Sequence, residues 1–376
     1  MNDRMALNLI AEIMGWRKHT DDGLAQREYK WLRLMSSVKY DGYTDFRAGI
    51  RFLETLASWL NQFKPTDRQA AYDFVKGRLI YISPAEMQQI IEAFYAEEVS
   101  PRIRVSVAAK HGIRPYEVWQ REEYVKDYDA QKRKTLFIGM SDGSRIDILR
   151  RINSGVLSTE QVLPVMNVND EKWVDLDKNL KDDNKGESNP KFDRVYLIED
   201  FTASGTTFLR YVNNEWKGKL AKFNANVKSA RDALREKFPL AERYSLHIHH
   251  YISSHQAKLQ LNSLLTKAFA ELPDRSYGSW TLSEGLCLPE KTKLVVPNDA
   301  VFLALCNTYY DEKIYLDYKK HCDEAGQSNM KLGYADCALP IVLDHNTPNN
   351  SVPLLWADTE TDTPMRALFR RRHRHG

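Results

Sequence analysis

Along its first third the chain repeats apolar residues at helical intervals. Phe46, Ile50, Leu53, Ala57 and Leu60 share one helix face, and Ser83-Pro84 with Glu86 announces a helix through Ile90, Ile91 and Phe94. Thr66-Asp67-Arg68-Gln69 has the pattern of a capping box, and Trp59, Phe63 and Tyr72 are expected in a core. The pattern then changes. Two short apolar runs, Leu136 to Ile138 and Val195 to Ile198, each lead into a loop of glycine and hydroxyl residues, as strands buried on both faces do. A period-two stretch from Tyr244 to Ile252 predicts another strand, with His247 and His249 on one face and His250 on the other. Leu294 to Val296 reads as the last strand of the sheet, and Ala338 to Leu343 as one more strand. Helices are expected from Arg145 through Ile146, Leu149 and Ile152, and over Phe223, Val227, Ala230, Leu234 and Phe238. Leu209 and Tyr211 are assigned to a helix opening directly from the loop after Asp200. The alternation predicts an α/β fold.

Two stretches lack a clean period. Ser100 to Lys134, rich in Arg, Lys, Tyr and acids, is expected to be an irregular connection or a basic lip. Val168 to Asp193, rich in Asn, Asp and Lys with Gly186 and Pro190, is expected to be a mobile loop, either a flap over a substrate or a solvated insertion. The expected division is a helical region over 1–130, a core over 131–300 and an extension over 301–376.

Composition narrows the partners. A net charge of +3 on 376 residues demands neither nucleic acid nor membrane, although Arg370 to Gly376 is a basic tail suited to a polyphosphate or nucleic acid, or simply to water. Four cysteines with no CxxC pair point to reduced thiols. The first 16 residues are too acidic and too briefly apolar for a signal peptide, and no stretch is expected to span a bilayer, so a cytoplasmic location is expected.

The chemistry concentrates in Val195 to Arg210. A buried strand ends in two carboxylates, Glu199 and Asp200, at the strand edge where open α/β sheets bind ligands. Adjacent carboxylates accept hydrogen bonds from vicinal hydroxyls such as those of a ribose. Gly205 frees the backbone amides of Ser204, Thr206 and Thr207 to close around a phosphate. His247 and His249 alternate as metal ligands would, but no carboxylate or thiol stands near them in sequence. Packed or pocket-edge histidines, with a possible role at a leaving group or acceptor, fit better. In the turn His345 to Asn350, Asn346, Asn349 and Asn350 suit the edge of a base or a ribose hydroxyl, or else Asx turns.

The strand, its two acids and the following loop resemble the signature of the type I phosphoribosyltransferases. The resemblance implies a mostly parallel sheet flanked by helices, with an N-terminal helical region and a C-terminal α/β extension. It implies Glu199 and Asp200 on the ribose of phosphoribosyl pyrophosphate, and Ala203, Ser204, Gly205, Thr206 and Thr207 on its 5'-phosphate. It places Ser141, Asp142, Gly143, Ser144 and Arg145 in the upstream loop that takes the pyrophosphate, with Mg²⁺ carried by that pyrophosphate. Glu199 stands where Asp is also common, and Thr206 where many members have Gly. With the WLNQF stretch upstream and HNTPNNS before LLW downstream, the whole resembles the PRTase-CE family of bacterial conflict and antiphage systems. That likeness implies an effector or a sensor beside an ATPase, nuclease or reverse transcriptase. It leaves room for a nucleotide or nucleic-acid acceptor and for a homo-oligomer paired through the sheet.

Overall fold

A computed structural model describes residues 3–16, 23–272 and 274–372. The chain begins with α1 (Asp3–Met14), α2 (Leu24–Val38), α3 (Phe52–Asn61), α4 (Arg68–Gly77) and β1 (Ile80–Ile82). Next come α5 (Pro84–Phe94), α6 (Ser100–His111), α7 (Glu122–Arg133), β2 (Thr135–Gly139), α8 (Ile146–Ile152), β3 (Val162–Leu163), α9 (Asp170–Asp183) and β4 (Phe192–Thr202). A hairpin of β5 (Arg210–Val212) and β6 (Glu215–Lys217) precedes α10 (Lys219–Leu234), β7 (Leu240–Ser254), α11 (His255–Glu271) and β8 (Tyr277–Leu288). The chain closes with α12 (Ala300–Thr308), α13 (Lys313–Asp317), α14 (Lys319–Glu324), β9 (Ile341–Leu343) and α15 (Pro353–Trp356). Among the described residues, no helix is long and apolar enough to cross a membrane.

Two compact units result, one of Met1–Glu86 with Glu290–Gly376, the other of Met87–Pro289. The helices from Met87 to Arg133 therefore fall with the sheet, and the two chain ends form a unit of their own, unlike the expected breaks at 130 and 300. In that first unit β1 and β9 pair in parallel, Tyr81 opposite Val342, across a separation that no local pattern announces. Its core gathers Phe369 against Tyr40, Tyr43, Phe46, Phe52 and Tyr81, and the buried Trp59 indole donates to the Leu354 carbonyl at 2.6 Å. Ser83 and Glu86 form the expected cap, with Ser83 N–H to the Glu86 carboxylate at 2.8 Å. Asp67 precedes α4 without a side-chain cap.

The second unit is a sheet of order β3-β2-β4-β7-β8 with every pairing parallel. It is the mostly parallel, helix-flanked architecture expected. One face presents Leu136, Ile138, Val195, Leu197, Leu246 and Ile248 to buried residues of α9, α10 and α11. On the other face Phe94 of α5 meets Phe137, Tyr196, His249 and Tyr251. Truncating a side chain of this size in either layer costs about 2 to 5 kcal/mol.

Most of the segment expected to be a mobile loop is α9: Asn169 caps it by accepting from Lys172 N–H at 2.9 Å, and Trp173, Leu176 and Leu180 bury one face. Ser100 to Lys134 is mainly α6 and α7. The last strand of the sheet is β8, whereas Leu294 to Val296 lies outside any strand. The basic tail is tied down as far as it is described, Tyr43 donating to the Arg370 carbonyl and Arg371 to the Thr347 carbonyl; residues 373–376 lie outside the described residues.

Candidate functional site

In sequence order the sheet strands run second, first, third, fourth, fifth, so the order reverses between β2 and β4. At such a switch point the connections leave for opposite faces and open a crevice beyond the carboxyl ends of the strands. The two loops singled out from the sequence, Ser141 to Arg145 and Glu199 to Thr207, sit there together. Met140 N–H bonds the Ile198 carbonyl at 3.0 Å, and Ser141 Oγ donates to Glu199 Oε2 at 2.7 Å. A Cβ on Gly143 would stand 2.8 Å from Asp200 Oδ2, so the first loop rests on the second acid.

The two acids differ. Glu199 is 5% exposed and also pairs with the Lys219 ammonium at the start of α10. Burial pushes its carboxyl above the usual carboxylate range; Lys219 pulls against that rise and the neighbouring Asp200 adds to it. Asp200 is half-buried. Opposite Glu199 in register stands His250, 1% exposed, with Phe208 at a ring distance of 5.5 Å. Burial lowers His250 to about 3, so it is neutral at physiological pH.

The loop from Ala203 to Thr207 is shaped by few contacts. Gly205 adopts φ +76°, and a Cβ there would meet Leu261 Cγ at 2.9 Å, so both backbone and space call for glycine. Ser254, which caps α11 through Ala257 N–H, also donates to the Ala203 carbonyl at 2.5 Å. The hydroxyls of Ser204 and Thr206 lie 2.9 Å apart. Among the described residues no protein acceptor takes the amide N–H of Ser204, Gly205 or Thr207. These are the donors that an anion would use.

The loop does not run straight into a helix, as the sequence led one to expect. It passes into the β5–β6 hairpin, where Asn213 and Asn214 both have positive φ. The chain then returns beside its departure point: Lys219 N–H bonds the Thr207 carbonyl at 3.3 Å and Leu220 N–H the Phe208 carbonyl at 3.1 Å. Lys219 thus reaches Glu199, a contact missed from the sequence. Tyr-Val-Asn-Asn-Glu-Trp, a two-residue Asn-Asn turn between β-prone residues, was the available signal.

The remaining candidates are placed as follows. Ser144 is fully buried, and a Cβ on Gly139 would stand 2.5 Å from its Oγ, so this hydroxyl points back at the strand. Arg145 holds φ 49° at the head of α8, and Asp142 is exposed. His247 and His249 lie on the packed face, Nδ1 of each on the Thr281 and Ser283 hydroxyls at 2.7 and 2.9 Å. Burial, with Arg102 and other cations or imidazoles nearby, lowers both to about 3. Asn346, Asn349 and Asn350 belong to the first unit. There Asn346 Oδ1 accepts from Arg372 N–H, the Asn349 carbonyl from Tyr334 N–H, and Asn350 Nδ2 donates to the Tyr334 carbonyl.

The PRTase-CE family model matches residues 56–371. The chain belongs to the PRTase-CE family. It is on that ground a phosphoribosyltransferase-like protein, of a transferase type at the coarse level. Comparison with curated proteins and with solved structures gave no match.

Proposed function

We propose that the chain binds phosphoribosyl pyrophosphate, or a nucleotide presenting the same ribose 5'-phosphate, at the switch point, and transfers or cleaves at the ribose C1. The observation that carries this reading is the approach of Gly143 to Asp200, which brings the upstream glycine loop and the second strand-end acid to one place. Asp200 accepts from the ribose hydroxyls. Glu199, fixed by Lys219 and Ser141, supports the strand end beneath it. The amides and hydroxyls of Ala203 to Thr207 take the 5'-phosphate, and Ser141 to Arg145 the diphosphate.

In the transfer, the C1–O bond to diphosphate breaks with its electron pair going to oxygen. The acceptor atom bonds to C1, and its proton passes to the departing diphosphate or to water. The transition state is cation-like, so the protein's share is positioning and electrostatic stabilisation. Mg²⁺ would be carried on the substrate's diphosphate, and Asp200 and the exposed Asp142 on the two loops would be the carboxylates to help hold it. When bound, the ion supplies neutralisation of the diphosphate charge. Among the described residues no group of three His, Cys, Asp or Glu is placed to hold a metal by protein alone. The proposal extends, through the family, to cytoplasmic antiphage defence beside an ATPase, nuclease or reverse transcriptase partner.

A second reading is a non-catalytic sensor of the same ligand that regulates a partner toxin or ATPase. The capture of Glu199 by Lys219 favours it, since one of the two ribose acids is then engaged inside the protein. Turnover separates the readings. Pyrophosphate release is followed with phosphoribosyl pyrophosphate, Mg²⁺ and a mixture of nucleotides and tRNA. A transferase releases it, and Asp200→Asn slows release by about 30- to 1000-fold, the scale of one lost electrostatic contact. Binding without release, with partner proteins added, supports the sensor, and absence of binding rejects both.

A further inference from the structure

Lys134 just before β2, Arg194 near the start of β4 and Ser245, its partner in register on β7, lie toward the end of the sheet opposite Glu199 and Asp200. Arg194 and Glu199 are roughly 16 Å apart along one strand at about 3.3 Å per residue. At this edge the strands, with α6 and α7, line a cavity of about 450 Å³. Its wall carries Lys110, Lys134, Arg194 and Arg243, the hydroxyls of Ser106 and Ser245, and two carboxylates, Asp127 and Asp193. That volume lies within the range of small-molecule sites, about 300 to 1000 Å³.

The charges on this wall are not evenly matched. Asp127 is held by Lys110 at 2.9 Å and by His111 at 3.2 Å, and Lys134 pairs with Glu187. Two guanidinium groups, Arg194 and Arg243, are left with one lining carboxylate, Asp193. Among the described residues, Nη1 of Arg194 is buried with no hydrogen-bond partner. Further along the same sheet face, Tyr196 Oη and His247 Nε2 are likewise buried and without partners. Guanidinium groups present paired planar donors that match phosphoryl oxygens.

We propose that this cavity is a second anion site, taking a small phosphorylated metabolite whose phosphoryl oxygens accept from Arg194 and Arg243 while the serine hydroxyls meet its polar remainder. It is separate from the ribose site, and β4 runs between them.

The test uses inorganic pyrophosphate as probe, without Mg²⁺, and hydrogen exchange read by mass spectrometry on the full chain. Protection is expected in α6 and in residues 240–246 of the wild type, and is kept in Ser204→Ala/Thr206→Ala, which weakens the other site. In Arg194→Gln and Arg243→Gln the half-protecting concentration rises about tenfold or more, the loss of one charge-assisted contact. Arg243 is exposed, so its variant carries the test if Arg194→Gln does not fold. Protection confined to residues 199–209, no protection at all, or an unchanged midpoint in a folded Arg243→Gln overturns the proposal. Failure of the ribose site would instead appear as lost protection at 199–209 with the other signal intact.

Discussion

Replacing Lys219 with Met leaves Glu199 as a buried carboxylate without its cation. Removing one member of a buried pair costs about 3 to 5 kcal/mol, because the remaining charge stays desolvated. Two features of the site lower that figure toward its small end. The Lys219 side chain is 26% exposed, so water already screens it in part, and Glu199 can escape by taking a proton. A cost of about 3 kcal/mol at pH 8 is therefore expected. Its pH dependence has a definite sign. With the folded carboxyl raised above its unfolded value of 4.5, the folded state binds more protons at this group, so the contribution of Glu199 to stability is most favourable at low pH and falls as pH rises through the folded value. Lys219→Met raises the carboxyl further, so its penalty shrinks as pH falls. Glu199→Gln/Lys219→Met removes the charge as well and costs less than the single Lys219 change, by about 2 kcal/mol at pH 8. Opening free energies from hydrogen exchange at residues 195–199 and 219–223, measured for wild type, Glu199→Gln, Lys219→Met and the double variant at pH 6 and pH 8, give the cycle. Additive single costs, or a Lys219→Met penalty that does not change with pH, would refute the reasoning.

Three further outcomes follow from named atoms. Gly143→Ala puts a Cβ 2.8 Å from Asp200 Oδ2, which swings the carboxylate away; titration should show phosphoribosyl pyrophosphate binding at least about tenfold weaker, with the melting temperature little changed. Gly205→Ala meets both φ +76° and Leu261, and local hydrogen exchange around the loop should report a loss of about 2 to 4 kcal/mol. His247, His249 and His250 are all lowered to about 3 by burial, so the unfolded state binds more protons between about 3 and 6.5, and stability falls as pH drops through that window. Each contributes up to about 2 kcal/mol of loss at pH 5, and His249→Asn should flatten the slope in acid unfolding; an unchanged slope would contradict it.

What could be read from the sequence was what local chemistry dictates. Val195 to Ile198 is apolar without interruption because β4 is covered on both faces, and the acids that follow stand where the strand leaves its neighbours. The two glycine-bearing loops were legible for the same reason. The α9 helix was hidden because Asn, Asp and Lys fill its exposed positions and only Trp173, Leu176 and Leu180 reveal a face. In α7 the buried signal is thinner still, Tyr124 and Tyr128. The edge strand β8 alternates half-exposed Trp280 and Leu282 with Thr281 and Ser283, then runs into Glu284 and Gly285, so it lacked the run that marked β4. Pairing of β1 with β9, and the capture of Glu199 by Lys219 across a hairpin, depend on residues brought together by the fold. No window of sequence contains either.

Calorimetric titration of phosphoribosyl pyrophosphate with Mg²⁺ into wild type, Asp200→Asn and Ser204→Ala/Thr206→Ala bears most directly on the proposed ribose-phosphate site. Saturable binding at one ribose site, weakened about tenfold or more by each variant, is the predicted result. No binding to wild type, or binding indifferent to both variants, would contradict the assignment of the β2–β4 switch point as that site.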